Sequence, residues 1–204
     1  MQSKDQTGIH IEGHIKIFDP VSKEIYVNKR NAIHYENISI ALANSLANSG
    51  QNYIYEMVLG NGGTAIDPTG IITYLTPNTS GANAALYNQQ FYKVIDQNSA
   101  NNVDPTRNYM ESRHITGTNY TDIFVTCLLD YGDGNKSGQL AFDNATNNTN
   151  NLVFDELGLK SYSSTGTGLL LTHVIFHPIQ KSLNRLIQID YTVRIQSLTG
   201  LSGN

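Results

Sequence analysis

Residues 57–70, MVLGNGGTAIDPTG, place three glycines in four positions directly after an apolar run. Glycine-rich loops behind strands often cradle phosphate on backbone N–H groups, with a lysine on the phosphates and a helix opening after the loop. GNGGTAIDPTG has no lysine, and Asp67-Pro68 stands where that helix would begin. A dinucleotide fingerprint fails for want of the same helix. The glycines are expected instead to turn a strand end sharply, with Asn61-Gly62 as the turn pair at positive φ.

The other candidate residues are weighed by the same geometry. His173 and His177 are four apart, as are His10 and His14. That is a metal-ligand spacing on a helix, but in a strand it separates the rings by about 13 Å, too far to share one ion. Asp133, Asn135 and Ser137, followed by Gly138, match the opening of a calcium loop. Asn144 stands where the bidentate glutamate belongs, and neither flank reads as a helix, so a glycine-studded β-turn accounts for the same residues. Asp155 and Glu156 are adjacent and should point to opposite faces of a strand, which denies them a shared role. His34 and Glu36 precede a helical stretch, where Glu36 suits the positive end of the helix dipole. A hydrolase reading would have to lean on His34, Glu36 and Asp155, and no known catalytic motif contains them. Cys127, the single cysteine, lies in IFVTCLL, where a buried inert thiol is expected. No catalytic, cofactor-binding or metal-binding residue is assigned, and the chain is not expected to be an enzyme.

The elements that would position these residues are mostly strands. In GIHIEGHIKIFD the isoleucines 9, 11, 15 and 17 share one parity and the polar residues take the other, a half-buried strand that forms a hairpin with EIYVNK. YENISIALANSLANSG reads as a helix with Ile38, Leu42 and Leu46 as its stripe and Gly50 as its cap. NYIYEMVLG, ITYL, FYKVI and SRHITG are strands, and ANAALYNQ suggests a turn or two of helix. TDIFVTCLLDY is apolar on both faces at Phe124, Val125, Leu128 and Leu129 and should lie centrally. NLVFDELGLKSY reads as strand plus turn. TGLLLTHVIFHPI and NRLIQIDYTVRIQ are two long strands, the second with Ile187, Ile189, Tyr191, Val193 and Ile195 on its apolar face. Some eight strands with one helix and Asn/Gly-rich turns predict a single antiparallel β-sandwich over 1–204, jelly-roll or immunoglobulin-like, with a long polar loop excursion at about 76–120.

Composition narrows the partners. Charged residues make up only 15% of the chain, while Asn is roughly one residue in nine, which favours turns and loops. A net charge of -4 with scattered basic residues offers no footprint for nucleic acid or an anionic membrane. MQSKDQTGIH has no apolar leader, so cytoplasmic synthesis is expected.

Several segments in order carry a resemblance: IKIFDPVSKEIYV, KRNAIHYENISIALANSLA, IYEMVLGNGGT, VFDELGLKSY and LLLTHVIFHPIQKSLNRLIQIDYTVRI. Together they resemble virion structural proteins of tailed bacteriophages, namely collar or neck components and the particle-attached β-sandwich domains of tail-fibre-like proteins. The matching positions are Asn31 before the helix, Gly60, Gly62, Gly63 and Thr64 in the strand-end turn, Glu156, Gly158 and Leu159 in a Glu-x-Gly-Leu turn, and Lys181 before the last strand. Residues 76–120 lie outside the match.

The resemblance implies a homo-oligomeric neck or collar protein at the head–tail junction, contacting portal, adaptor or capsid proteins within the virion. A capsid decoration protein is the nearest alternative. A carbohydrate- or receptor-binding sandwich is another, with Tyr74, Tyr87, Tyr92 and Tyr109 available for stacking. In the assembly reading the polar excursion clasps a neighbouring copy, and removing residues 78–102 should spare cooperative unfolding while abolishing incorporation.

Overall fold

Alternation of Ile11, Gly13, Ile15 and Ile17 buries one face of β1 (Gly8–Phe18), while Ile9 at its exposed end does not reach the core. In the turn that follows, the Asp19 carboxylate accepts from Val21 N at 2.7 Å and Ser22 N at 3.0 Å, with Lys23 at φ 65°. β2 (Ile25–Arg30) returns along β1, completing the expected hairpin. A computed structural model describes residues 8–50, 52–81, 83–133, 151–164 and 168–198. Over those residues the chain continues through β3 (Ala32–Ile33), α1 (Tyr35–Leu46), β4 (Ile54–Gly60), β5 (Thr64–Ile66), β6 (Ile72–Tyr74) and β7 (Gln89–Val94). It ends with β8 (Tyr109–His114), β9 (Tyr120–Leu129), β10 (Asn151–Ser161), β11 (Thr172–Ser182) and β12 (Ile187–Leu198).

Two five-stranded antiparallel sheets form the β-sandwich that the strand pattern predicts. The first has the order β2-β1-β12-β9-β8 and the second β3-β11-β10-β4-β7, while β5 and β6 pair as a separate hairpin. β12 is the central strand of the first sheet and buries Ile187, Ile189, Tyr191 and Val193, as its alternation requires. These residues pack with Met57, Leu59, Phe154 and Leu157 of the second sheet in one apolar core. Phe154 and Phe176 meet edge to face at 5.7 Å. β9 lies inside the first sheet but next to its edge, and Phe124 is only half-buried.

Five expectations change. Leu46 is 89% exposed, and the helix buries Asn37 and Ala41 instead, because it packs through its first two turns. Its end is closed by Asn48 at φ 50°, not by Gly50: Ser49 N donates to Asn44 O and Asn48 N to Ser45 O, a Schellman arrangement with asparagine in the left-handed position. VFDELGLKSY contains no turn at Glu156, since β10 runs unbroken from Asn151 to Ser161. Residues 76–120 are not an excursion. They supply β7 to one edge of the second sheet and β8 to one edge of the first, and they bury Leu86, Val94 and Ile95. Among the described residues of ANAALYNQ no helix forms: a turn at Asn83 leads through irregular chain and a bend at Tyr87 and Asn88 into β7, with Leu86 beside Val58 and Leu170 in a small second apolar cluster.

Candidate functional site

The densest gathering of buried ionisable groups lies on the outer face of the second sheet, away from the core. Its origin is an irregularity between β10 and β11. Phe154 pairs with Ile179 and Glu156 with Ile175, so Phe176, His177 and Pro178 together oppose Asp155. Pro178 has no N–H to give the ladder, which suits a bulge. Phe154 and Leu157 both enter the core, so the two residues between them turn to the opposite side. The expectation that Asp155 and Glu156 face apart is thereby overturned: strict alternation does not survive a bulge, and both carboxylates are fully buried on one face.

Both carboxylates hold the glycine loop by its backbone. Asp155 accepts from Gly63 N and Thr64 N at 2.9 Å each and from the Thr64 hydroxyl. Glu156 accepts from Gly62 N at 3.1 Å. It also accepts from Tyr87 N at 2.9 Å and Asn88 N at 2.8 Å, in a strap formed by residues 76–81 and 83–88 that crosses the same face. His173, fully buried on β11, lies 3.0 Å from Glu156 through Nε2, and its Nδ1 accepts from Asn78 N at 2.8 Å. That acceptance fixes the ring as neutral, with Nε2–H donating to the glutamate. At the other end of the strap His34 caps α1, its Nδ1 accepting from Asn37 N at 3.2 Å and its Nε2 lying 3.0 Å from Gly81 O. Glu36 accepts from Gly81 N at 3.2 Å.

The environment drives the two carboxyls in opposite directions. Burial pushes Glu156 upward, but the His173 bond and the donors Asn88, Tyr87 and Gly62 outweigh it and hold the group below the usual glutamate range. Burial dominates at Asp155 and raises it despite the Thr64 and Gly63 bonds, with the neighbouring Glu156 charge adding to the rise. The loop that resembled a phosphate cradle thus already binds two carboxyl groups, both from its own chain.

The glycines serve close approach. None of Gly60, Gly62 and Gly63 has positive φ, so the expected left-handed Asn61-Gly62 turn is not what forms. A Cβ on Gly60 would lie 2.6 Å from Asn88 O and against the Glu156 carboxylate, and one on Gly63 would lie 2.9 Å from Ile175 Cγ2. Gly60→Ala should therefore destabilise the fold by about 1–3 kcal/mol through overpacking, measured as a lower urea midpoint at unchanged slope.

The remaining candidates separate. His173 is buried while His177 is exposed and 3.3 Å from the Tyr74 hydroxyl, and His10 and His14 lie on the exposed side of β1. Burial lifts the Cys127 thiol to about 12, which makes it a packing residue. Asp133 pairs with Lys93 at 2.6 Å and accepts from Asp130 N at 2.7 Å; Asn135, Ser137, Gly138 and Asn144 lie outside the described residues. Lys181 is fully buried in β11 and donates to Ser182 O at 2.8 Å and Asp133 O at 3.3 Å. Asn31 donates to the Tyr191 hydroxyl and to Ala32 O. Tyr74, Tyr92 and Tyr109 sit on β6, β7 and β8 and Tyr87 on the strap, whereas Tyr53, Tyr55 and Tyr162 form an aromatic trio with Tyr53 and Tyr162 stacked at 5.5 Å. Among the described residues no three His, Cys, Asp or Glu side chains gather as a metal-ligand set.

Two apolar surfaces complete the picture. The β5–β6 hairpin leaves Ile66, Ile71, Tyr74 and Leu75 exposed. At the other end of β4, about 20 Å away by strand rise, a cleft of about 320 Å³ opens between α1 and the sheets, lined by Ile38, Leu42, Ile54, Met110, Ile123 and Ile195. No family model matches the chain, and no curated protein or solved structure matches it.

Proposed function

We propose that this chain is a structural subunit of a tailed-bacteriophage particle, a neck or collar protein that works as a homo-oligomer at the head–tail junction. The observation that carries the assembly role is the β5–β6 hairpin. A two-stranded hairpin is marginal by itself. Here its root is fixed by two buried carboxylates while Ile71 is 60% and Tyr74 54% exposed. Burying charge is expensive, so its use to hold out an apolar tip favours a contact role. The apolar cleft at the far end of the same strand gives a second copy a place to engage, and a contact between unlike surfaces closes into rings when its rotation permits. The ordered run of segments resembling phage virion proteins supports the placement in a particle.

The full chain should run as a multimer in native mass spectrometry. An Ile71→Asp/Tyr74→Asp double variant, altered only at exposed positions, should run as a folded monomer. A wild-type chain that stays monomeric at high concentration, and shows no density in cryo-electron microscopy of intact particles, would remove the proposal. Density spread over the capsid, away from the unique vertex, would favour the decoration role.

A further inference from the structure

We infer that the strap formed by residues 76–81 and 83–88 is released by acid, leaving the outer face of the second sheet while the sandwich beneath stays folded. This goes beyond the assembly role and does not depend on it. The strap has no strand pairing of its own, since β7 begins only at Gln89. Among the described residues, every hydrogen bond from positions 76–87 to the rest of the molecule ends on an ionisable side chain: Asn78 on His173, Gly81 on His34 and Glu36, and Tyr87 on Glu156; Asn88, where the strap joins β7, bonds Glu156 and also Asn61 through its backbone oxygen and side chain. Its other bonds are internal, such as Asn78 Nδ2 to Ala85 O and the Tyr87 hydroxyl to Thr76 O. Its apolar hold is local: Leu86 clusters with Val58, Leu170 and Ala84 and the Tyr87 ring lies 5.8 Å from that of His173, whereas the main core lies on the opposite side of the sheet.

Two of these anchors depend on protonation state. His173 accepts through Nδ1, so a second proton on that ring sets donor against donor at Asn78 N, whereas His34 meets the strap through Nε2–H donating to Gly81 O, a bond that a second proton at Nδ1 leaves in place. A proton on Glu156 weakens the acceptor of three backbone donors and of His173. No countercharge compensates from nearby. The strap and the glycine loop carry no charged residue between positions 60 and 64 or 76 and 88. Asp155 faces Gly63 and Thr64, Lys29 donates to Ile175 O, His177 meets Tyr74, and the next charges along the outer face, Glu56 and Lys160, are cross-strand partners of each other. The sign is fixed by Glu156. Its folded-state value lies below the ordinary one, so its bonds stabilise fully above the usual glutamate range and are lost as pH falls through that lower value.

Hydrogen exchange of the intact chain, followed by mass spectrometry from about pH 8 to about pH 2.5 and corrected for intrinsic exchange, tests this. Peptides covering 78–88 should exchange at least about tenfold faster at a pH where peptides from β1 and β12 remain protected. Glu156→Gln should open the strap at neutral pH with the sandwich peptides still protected. His173→Asn keeps an acceptor for Asn78 N with no imidazole to set donor against donor, and should shift opening to lower pH. Strap and sandwich losing protection together at one pH would overturn the inference, as would a strap protected up to global unfolding. If the variants fail to fold, the wild-type profile decides alone.

Discussion

Removing residues 78–102 is expected to abolish cooperative unfolding. The deletion takes out β7, the only partner of β4 on that side of the second sheet, and exposes a row of unpaired backbone groups along β4. It also removes Leu86, Val94 and Ile95, each at most 9% exposed, and uncovers Val58. Burial of such side chains contributes about 1.5–3 kcal/mol apiece, and the lost ladder adds to that. The total is comparable with the whole stability of a typical domain, about 5–15 kcal/mol. Loss of the near-ultraviolet circular dichroism signal and a broad, shallow urea transition should follow. A sharp transition near the wild-type midpoint would show that the segment is an appendage after all, as its polar composition suggests. The same deletion therefore says nothing clean about assembly, and the hairpin variant is the better probe of that.

The second large effect is expected at Glu156. Glu156→Ala strands the backbone donors of Gly62, Tyr87 and Asn88 and the Nε2–H of His173 in a site with no exposure. Breaking one side of a buried network of this kind costs about 3–5 kcal/mol, because the orphaned partners keep their desolvation penalty. In a chain of this size that is a fall in Tm of roughly 6–20 °C. Differential scanning calorimetry reads it directly, and a shift of under about 2 °C would mean the network is satisfied by water instead. Asp155→Asn should cost less, because burial already favours the neutral acid there and asparagine keeps one accepting oxygen.

How far the chain could be read in advance follows from what each feature depends on. The period-2 strands are legible because β1 and β12 each bury one face, and Ile15, Ile17, Ile189 and Val193 mark that face without reference to anything distant. The role of residues 76–120 is not legible, because edge strands bury little: β8 is polar for half its length, and β7 fully buries only Val94 at its end, with Phe91 half-buried against the core. Asp155 and Glu156 mislead for a different reason. Alternation predicts opposite faces, and only the pairing with β11, decided near Pro178, places them together. Pro178 in an otherwise strand-like run is the one local hint of that bulge. The glycines of the loop are visible as a cluster, but their purpose lies in the approach of Asn88 and Ile175, some 28 and 112 positions away. The histidines are similar: no local pattern tells His173, which holds the strap, from His177, which lies in the open.

The register of β1 with β12 carries a consequence for the timing of synthesis. Gly8 lies opposite Leu198 and Phe18 opposite Gln188, so β1 leaves the ribosome ahead of the other described strands while its main partner is the last of them. Until β12 emerges, the β1–β2 hairpin has no neighbour on its inner side and Ile11, Ile15 and Ile17 have no completed core to enter. At about 5–20 residues per second the nascent chain spends roughly ten seconds or more in that state. The first sheet can close only once translation has passed β12, and a product that stops short keeps a sticky edge, the kind of defect that quality control can recognise.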